Sequence, residues 1–203
     1  ADDADNTAIN ATKDITLTSL VGPAEGKELT ISAEGHTVAV QGNNTFAGDL
    51  VVAKGTVKLD SNTALGSHNA TGSKTITIGE GATMDVNGKG DAKYVYTLAG
   101  GTLTNNGAAI GHNMAQTSGL VLTADSYIGG EDAKEMWVLA ASYGANTVDL
   151  ASYKLTKKGS ALFGFANSTI TEGTLQVDAG TVQFNDGGSV AADIILNGGT
   201  ISG

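Results

Sequence analysis

The chain is 203 residues long, carries a formal net charge of −10, and draws all 11 of its basic residues from lysine. An acidic, arginine-free surface is a poor partner for nucleic acid or an anionic membrane, and the absence of cysteine excludes a disulfide framework and thiolate metal sites. With 29 Gly, 1 Pro, 5% aromatic and 16% charged residues, the composition points to short strands and tight turns, because glycine is costly inside helices and cheap where φ is positive.

The N-terminus opens Ala1-Asp2-Asp3-Ala4-Asp5 without an initiator methionine. That start suits a mature chain freed of a signal peptide or a recombinant product, the former being preferred. Ala1 to Thr12 reads as a polar tail or end cap, and the chain divides into residues 1–14, a tail or cap, and residues 15–203, a repeat region. No apolar run approaches the roughly 20 residues that span a bilayer.

From there, short alternating runs recur: Leu29-Thr30-Ile31, Thr37-Val38-Ala39-Val40, Thr56-Val57-Lys58-Leu59, Thr75-Ile76-Thr77-Ile78, Leu120-Val121-Leu122, Leu175-Gln176-Val177, Thr181-Val182-Gln183-Phe184 and Ile194-Ile195-Leu196. Apolar residues at i and i+2 turn one side of a strand to a core and the other to solvent. Most runs are three to five residues long and end at Gly, Asn or Asp, too short for a typical sandwich strand. Glu131 to Tyr143 lacks glycine and fits either a helical turn or a strand around the sole Trp; a strand from Met136 to Ala140 is favoured.

A triplet, Gly-Thr-aliphatic, recurs at Gly55-Thr56-Val57, Gly101-Thr102-Leu103, Gly173-Thr174-Leu175, Gly180-Thr181-Val182 and Gly199-Thr200-Ile201, with a relative at Gly81-Ala82-Thr83-Met84. Several copies stand about 20 residues apart, a period at which solenoid turns stack. Glycine would form the corner, β-branched Thr would start the strand, and the aliphatic residue would point inward. Val57 and Leu175 are therefore assigned to the core, Lys58 and Gln176 to solvent. The predicted fold is all-β, a single elongated parallel β-solenoid whose turns are stable only as a stack.

Chemistry-bearing residues are sparse. His36, His68 and His112 are far apart and flanked by Gly or Asn, which reads as turn or surface histidine; a metal would want paired ligands or a carboxylate partner. Asp85-Val86-Asn87-Gly88-Lys89-Gly90-Asp91 resembles a calcium loop, but Lys89 stands at the fifth position, where an oxygen donor is needed. Asp178, Asp186 and Asp193 come nearest to a carboxylate row repeated once per turn, and solvated corners explain them better than a carbohydrate-cleaving site. Asn44, Asn62, Asn87, Asn105, Asn185 and Asn197 fall at strand ends, where a ladder between turns is the default role. No residue is assigned as catalytic, cofactor-binding or metal-ligating, and no cofactor is expected.

Two stretches resemble the autotransporter-associated β-strand repeat of Gram-negative autotransporter passengers. The first is Leu29-Thr30-Ile31, then Gly42-Asn43-Asn44-Thr45-Phe46-Ala47-Gly48, Gly55-Thr56-Val57-Lys58-Leu59 and Ala64-Leu65-Gly66-Ser67. The second is Leu155-Thr156-Lys157-Lys158-Gly159-Ser160-Ala161-Leu162, then Ala166-Asn167-Ser168-Thr169 and Gly173-Thr174-Leu175-Gln176-Val177, with Ser168-Thr169-Ile170 standing where the family has Thr, an aromatic and a small residue.

The resemblance implies a right-handed parallel β-helix, secreted or displayed at the cell surface of a Gram-negative bacterium after export through the outer membrane. It implies a non-enzymatic stalk or adhesin scaffold, with a host-surface protein or glycan as partner and no membrane insertion by this segment. A C-terminal translocator barrel is expected in the full-length chain. The roughly ten-residue lipid-facing strands of such a barrel are not seen here, and the chain ends within a repeat at Gly199-Thr200-Ile201-Ser202-Gly203, so a fragment of a longer passenger is expected. The alternatives are a β-helical carbohydrate-active enzyme, marked by a carboxylate groove, and a glycan-binding module, marked by exposed aromatics.

Overall fold

A computed structural model describes residues 6–66, 74–89, 94–111, 117–139, 146–185 and 187–203. Every regular element among them is a β-strand, and the strands stack as nine rungs, about eight full turns from first to last, of a parallel β-solenoid. The first turn holds β1 (Thr7–Asn10) and β2 (Ile15–Leu17). The next two are dominated by long strands, β3 (Glu28–Val40) and β4 (Asp49–Leu59). Then come β5 (Thr75–Gly79) with β6 (Ala82–Asp85), and β7 (Tyr94–Ala99) with β8 (Thr102–Thr104). The last four turns each add a third strand: β9 (Thr117–Ala124), β10 (Ser126–Gly129), β11 (Met136–Leu139); β12 (Asn146–Asp149), β13 (Lys154–Lys158), β14 (Leu162–Ala166); β15 (Ser168–Thr171), β16 (Thr174–Val177), β17 (Thr181–Asn185); β18 (Ser189–Val190), β19 (Asp193–Leu196), β20 (Thr200–Ser202).

Strands of successive turns pair in parallel on three sides. Side one runs β1-β3-β4-β5-β7-β9-β12-β15-β18, side two runs β2-β3-β4-β6-β8-β10-β13-β16-β19, and side three is β11-β14-β17-β20. Strands β3 and β4 belong to both of the first two sides, so they outrun the three to five residues expected from the sequence. They bend at a corner instead of ending there, and β3 shifts register against β4 between Ile31 and Thr37. Within residues 1–14, Thr7–Asn10 is already a rung of side one, paired with Leu29–Ser32. Met136–Leu139 is a strand, the favoured of the two readings for this segment; Ala140 lies outside the described residues.

The core is a set of axial columns. On side two, register aligns Ile15, Val38, Val57, Met84, Leu103, Ile128, Lys157, Val177 and Leu196. On side one it aligns Leu29, Leu50, Ile76, Tyr96, Leu120, Val148, Ile170 and Val190. Val57 and Leu175 are fully buried and Lys58 and Gln176 half-buried, so the strand phase read from alternation holds. Each buried Leu, Ile or Val contributes about 1.5–3 kcal/mol, and each gains that only because a neighbouring turn covers it.

Turn length varies. Ile76 and Tyr96 are partners 20 residues apart, whereas Leu120 and Val148 are 28 apart. The surplus leaves at loops while the columns keep their register. Glycine makes the corners, with one refinement. Gly55, Gly81, Gly173 and Gly180 take positive φ. In Gly100-Gly101 and Gly198-Gly199 it is the glycine before the triplet that does so. At Gly55 a Cβ would sit 1.8 Å from the carbonyl oxygen of Ala33, so the corner admits no side chain.

Candidate functional site

Residues that bear on a site fall into three groups. Asn44, Asn87 and Asn105 brace neighbouring turns. Asn44 accepts from the Leu20 amide (2.7 Å) and donates to the carbonyls of Gln41 (3.1 Å) and Ala64 (2.6 Å), linking three consecutive turns. Asn105 likewise accepts from the Gly88 amide (2.6 Å) and donates to the carbonyl of Glu135 (2.9 Å). Both are 1% exposed and lie on side three before its strands begin. There, side chains supply the cross-turn hydrogen bonds that a ladder supplies later. Asn87, at φ 48°, donates to the Leu59 carbonyl and the Asp60 carboxylate, both at 2.8 Å. Asn197 donates to Asp178 (3.1 Å) and Asn185 accepts from Gln183 (3.1 Å), while Asn62 is exposed.

Carboxylates of the second group are engaged structurally. Asp85 is 4% exposed, and its Oδ1 accepts from the amides of Asn87 (2.8 Å) and Asn106 (2.9 Å), which holds two turns together. Gly90 and Asp91 of that loop lie outside the described residues. Asp178 accepts from Gln176 (2.6 Å) and Asn197, and those hydrogen bonds hold its carboxyl below the usual range. Asp193 is opposite Thr174, so it does not align with Asp178; Asp186 lies outside the described residues. His36 Nδ1 is 3.6 Å from the Asp14 carboxylate at the surface, and His68 and His112 lie outside the described residues. Among the described residues no group of three or more His, Cys, Asp or Glu could hold a metal ion.

The third group escaped sequence reasoning. Gly79, Ala99 and Ala124 are register partners, which stacks the next residues, Glu80, Gly100 and Asp125, on one corner line. The middle turn has no side chain there: Gly100 takes φ 91°, and a Cβ on Gly101 would fall 2.4 Å from Ile78 Cγ2. The result is a surface groove of about 520 Å³ with Glu80 and Asp125 on opposite rims. Two rungs separate them, about 9–10 Å along the axis. Thr83, Thr102 and Tyr127, consecutive in an outward column, line the side-two wall.

Two lysines touch this rim. Lys54 Nζ donates to the Glu80 carbonyl (2.8 Å), and Lys158 Nζ stands 3.7 Å from the centroid of the Tyr127 ring. Asp125 Oδ1 is partly occupied by the Lys154 amide (2.9 Å). The groove therefore offers carboxylate and hydroxyl groups on a rigid backbone. That chemistry suits hydrogen bonding to a hydroxyl-rich ligand.

Two buried lysines were equally unforeseen. Lys157 occupies an inward column between Ile128 and Val177, and its Nζ donates to the carbonyls of Lys158 (2.9 Å), Gly159 (2.7 Å) and Ala179 (3.2 Å). Burial pushes its pKa down to about 8. Lys74 Nζ donates to the carbonyls of Phe46 and Leu65 and lies 3.2 Å from the Phe46 ring centroid. Burial lowers its pKa to about 7, against an opposing pull from Asp49. Comparison with known proteins returned no matching family model, no matching curated protein and no matching solved structure.

Proposed function

We propose that this chain is a structural segment of an exported passenger from a Gram-negative autotransporter, a stalk or adhesin scaffold displayed outside the cell. The observation that carries the reading is the unbroken column from Ile15 to Leu196, which runs through every turn on side two. A stack of that kind bears load along its axis and is built by nearest-neighbour contacts alone. Each completed turn templates the next, so the chain can fold progressively as it emerges from a pore. The repeat-like stretch from Leu29 to Leu59 supports the same reading, since it covers side one of one turn and side two of the next. Its partners would be a host-surface protein or glycan, and a translocator barrel would belong to the same full-length chain. Protease shaving and antibody labelling of intact cells of the source organism test the proposal. Surface-exposed protein is expected; retention in the cytoplasm overturns it.

The groove between Glu80 and Asp125 favours a second reading, a glycan-binding scaffold. Binding to a glycan array that Glu80→Gln with Asp125→Asn abolishes is the expected outcome. Equal binding by the double variant would contradict it.

A further inference from the structure

Four charged side chains surround the groove over Gly100, and they do not pair with one another. Lys54 directs its Nζ to the Glu80 carbonyl oxygen (2.8 Å), and Lys158 places its Nζ 3.7 Å from the centroid of the Tyr127 ring. Among the described residues the ion pairs are His36 with Asp14 and Lys58 with Asp60. The carboxylates of Glu80 and Asp125 therefore have no cationic partner there. One oxygen of Asp125 accepts the Lys154 amide (2.9 Å), and the other is open.

Both lysines approach from outside the groove. Lys54 lies on the rung before Glu80 and Lys158 on the rung after Tyr127, and neither lines the cavity. Tyr127 keeps its groove side uncovered. The Glu80 stem lies along the bare middle rung, since a Cβ at Gly100 would fall 3.2 Å from Glu80 Cβ and 3.5 Å from its Cγ. A ligand resting on Gly100 and Gly101 thus meets a carboxylate on each rim and the hydroxyls of Thr83, Thr102 and Tyr127 on one wall.

Two carboxylates across a floor without side chains make the potential between them negative, in a chain of net charge −10. An anionic sugar is repelled from such a place, and a neutral one gains ordinary hydrogen bonds. An ammonium gains charge-assisted ones, roughly twice as strong. The rims stand two rungs apart, about 9–10 Å. That is too far to chelate one ammonium and suits two amines on a short oligomer. The row of hydroxyls beside an aromatic ring matches a sugar better than the aliphatic stem of a lysine.

We propose that the groove takes a glycan bearing free amines, an unacetylated hexosamine oligomer, with its ammonium groups on Glu80 and Asp125 and its hydroxyls on Thr83, Thr102 and Tyr127. This names a ligand class for the glycan-binding reading and rests on that reading.

Isothermal titration calorimetry at mildly acidic pH tests it with three probes: the β-1,4-linked glucosamine tetramer, its fully N-acetylated counterpart, and tetralysine. The glucosamine tetramer is expected to bind at least tenfold more tightly than the other two, and to weaken as salt is added. Glu80→Gln with Asp125→Asn is expected to remove that preference with unchanged circular dichroism. Glu34→Gln with Glu172→Gln, at exposed carboxylates outside the groove, is expected to leave it intact. Equal loss in both double variants would reveal attraction to net charge alone and overturn the proposal. Acetylated tetramer binding as tightly as the free amine overturns the amine selection and leaves the glycan reading standing. Tetralysine binding as tightly as the glucosamine tetramer overturns the sugar and makes the groove a site for cationic peptide. Binding by neither tetramer overturns the proposal, and other glycans held through Glu80 and Asp125 would then keep the wider reading.

Discussion

Trp137 and Gly164 are register partners on side three, and a Cβ at position 164 would fall 2.0 Å from Cε3 of the indole. The indole thus lies directly on the bare backbone of the next rung, 3% exposed, with Nε1 donating to Glu135 (2.6 Å). Gly164→Ala is expected to displace it. Overpacking of this kind costs about 1–3 kcal/mol. Because Trp137 is the only Trp, its emission should shift to the red; an unchanged spectrum would contradict the packing.

Tyr96 sits fully buried between Ile76 and Leu120, and its hydroxyl has no hydrogen-bond partner among the described residues. Burial raises its pKa, with Tyr94 adding to the shift. An unsatisfied buried hydroxyl costs about 1–3 kcal/mol. Tyr96→Phe removes it without changing the ring, so a higher urea midpoint is expected. A clear loss of stability would reveal a partner.

Alternation alone made Val57 and Leu175 legible as core, since a period of two leaves few choices of phase. It did not make Lys157 legible. Leu155 and Lys157 share a face, but a lysine in an aliphatic column makes sense only once the carbonyls of Gly159 and Ala179 are seen to converge on it. The groove was hidden for another reason. Glu80 and Asp125 are brought onto one line by turns of unequal length, and no fixed period in the sequence predicts that alignment. The ladder role read for the asparagines fits Asn44 and Asn105, whose short amides reach backbone on both sides, and Asn87 and Asn197, which reach the preceding turn. It does not fit Asn185, which bonds within its own strand, or Asn62, which is exposed.

Lysines 157 and 74 make stability depend on pH. Their folded pKa values, about 8 and about 7, lie below the 10.5 of the free side chain. Between those values the unfolded chain binds more protons, so stability rises with pH. The burial penalty is fully present below pH 7 and relieved above it. Urea midpoints are expected to climb from pH 7 to pH 9.5. Lys157→Met should flatten the part of the climb above pH 8, and an unaltered slope would contradict the assignment.

Val57→Asp and Leu175→Asp place a carboxylate in a closed column, at a cost of several kcal/mol. Lys58→Asp and Gln176→Asp alter half-buried outward positions and should cost little. Because turns depend on their nearest neighbours, damage should begin locally. Thermal melts and limited proteolysis read the contrast, and equal tolerance within either pair would contradict the strand phase.

The outward column beside these positions offers the most direct test of the stack itself. Thr37, Thr56, Thr83, Thr102, Tyr127, Thr156, Gln176 and Ile195 are consecutive register partners on side two. Since the chain has no native cysteine, spin labels can be placed at chosen pairs and their separations measured by pulsed electron resonance. With about 4.8 Å per rung, Thr56 to Gln176 should span about 24 Å, Thr37 to Gln176 about 29 Å, and Thr37 to Ile195 about 34 Å. Separations that grow by one rung at each step, whatever the number of intervening residues, are the expected result. Separations that follow residue number, or fail to increase along the column, would contradict the solenoid.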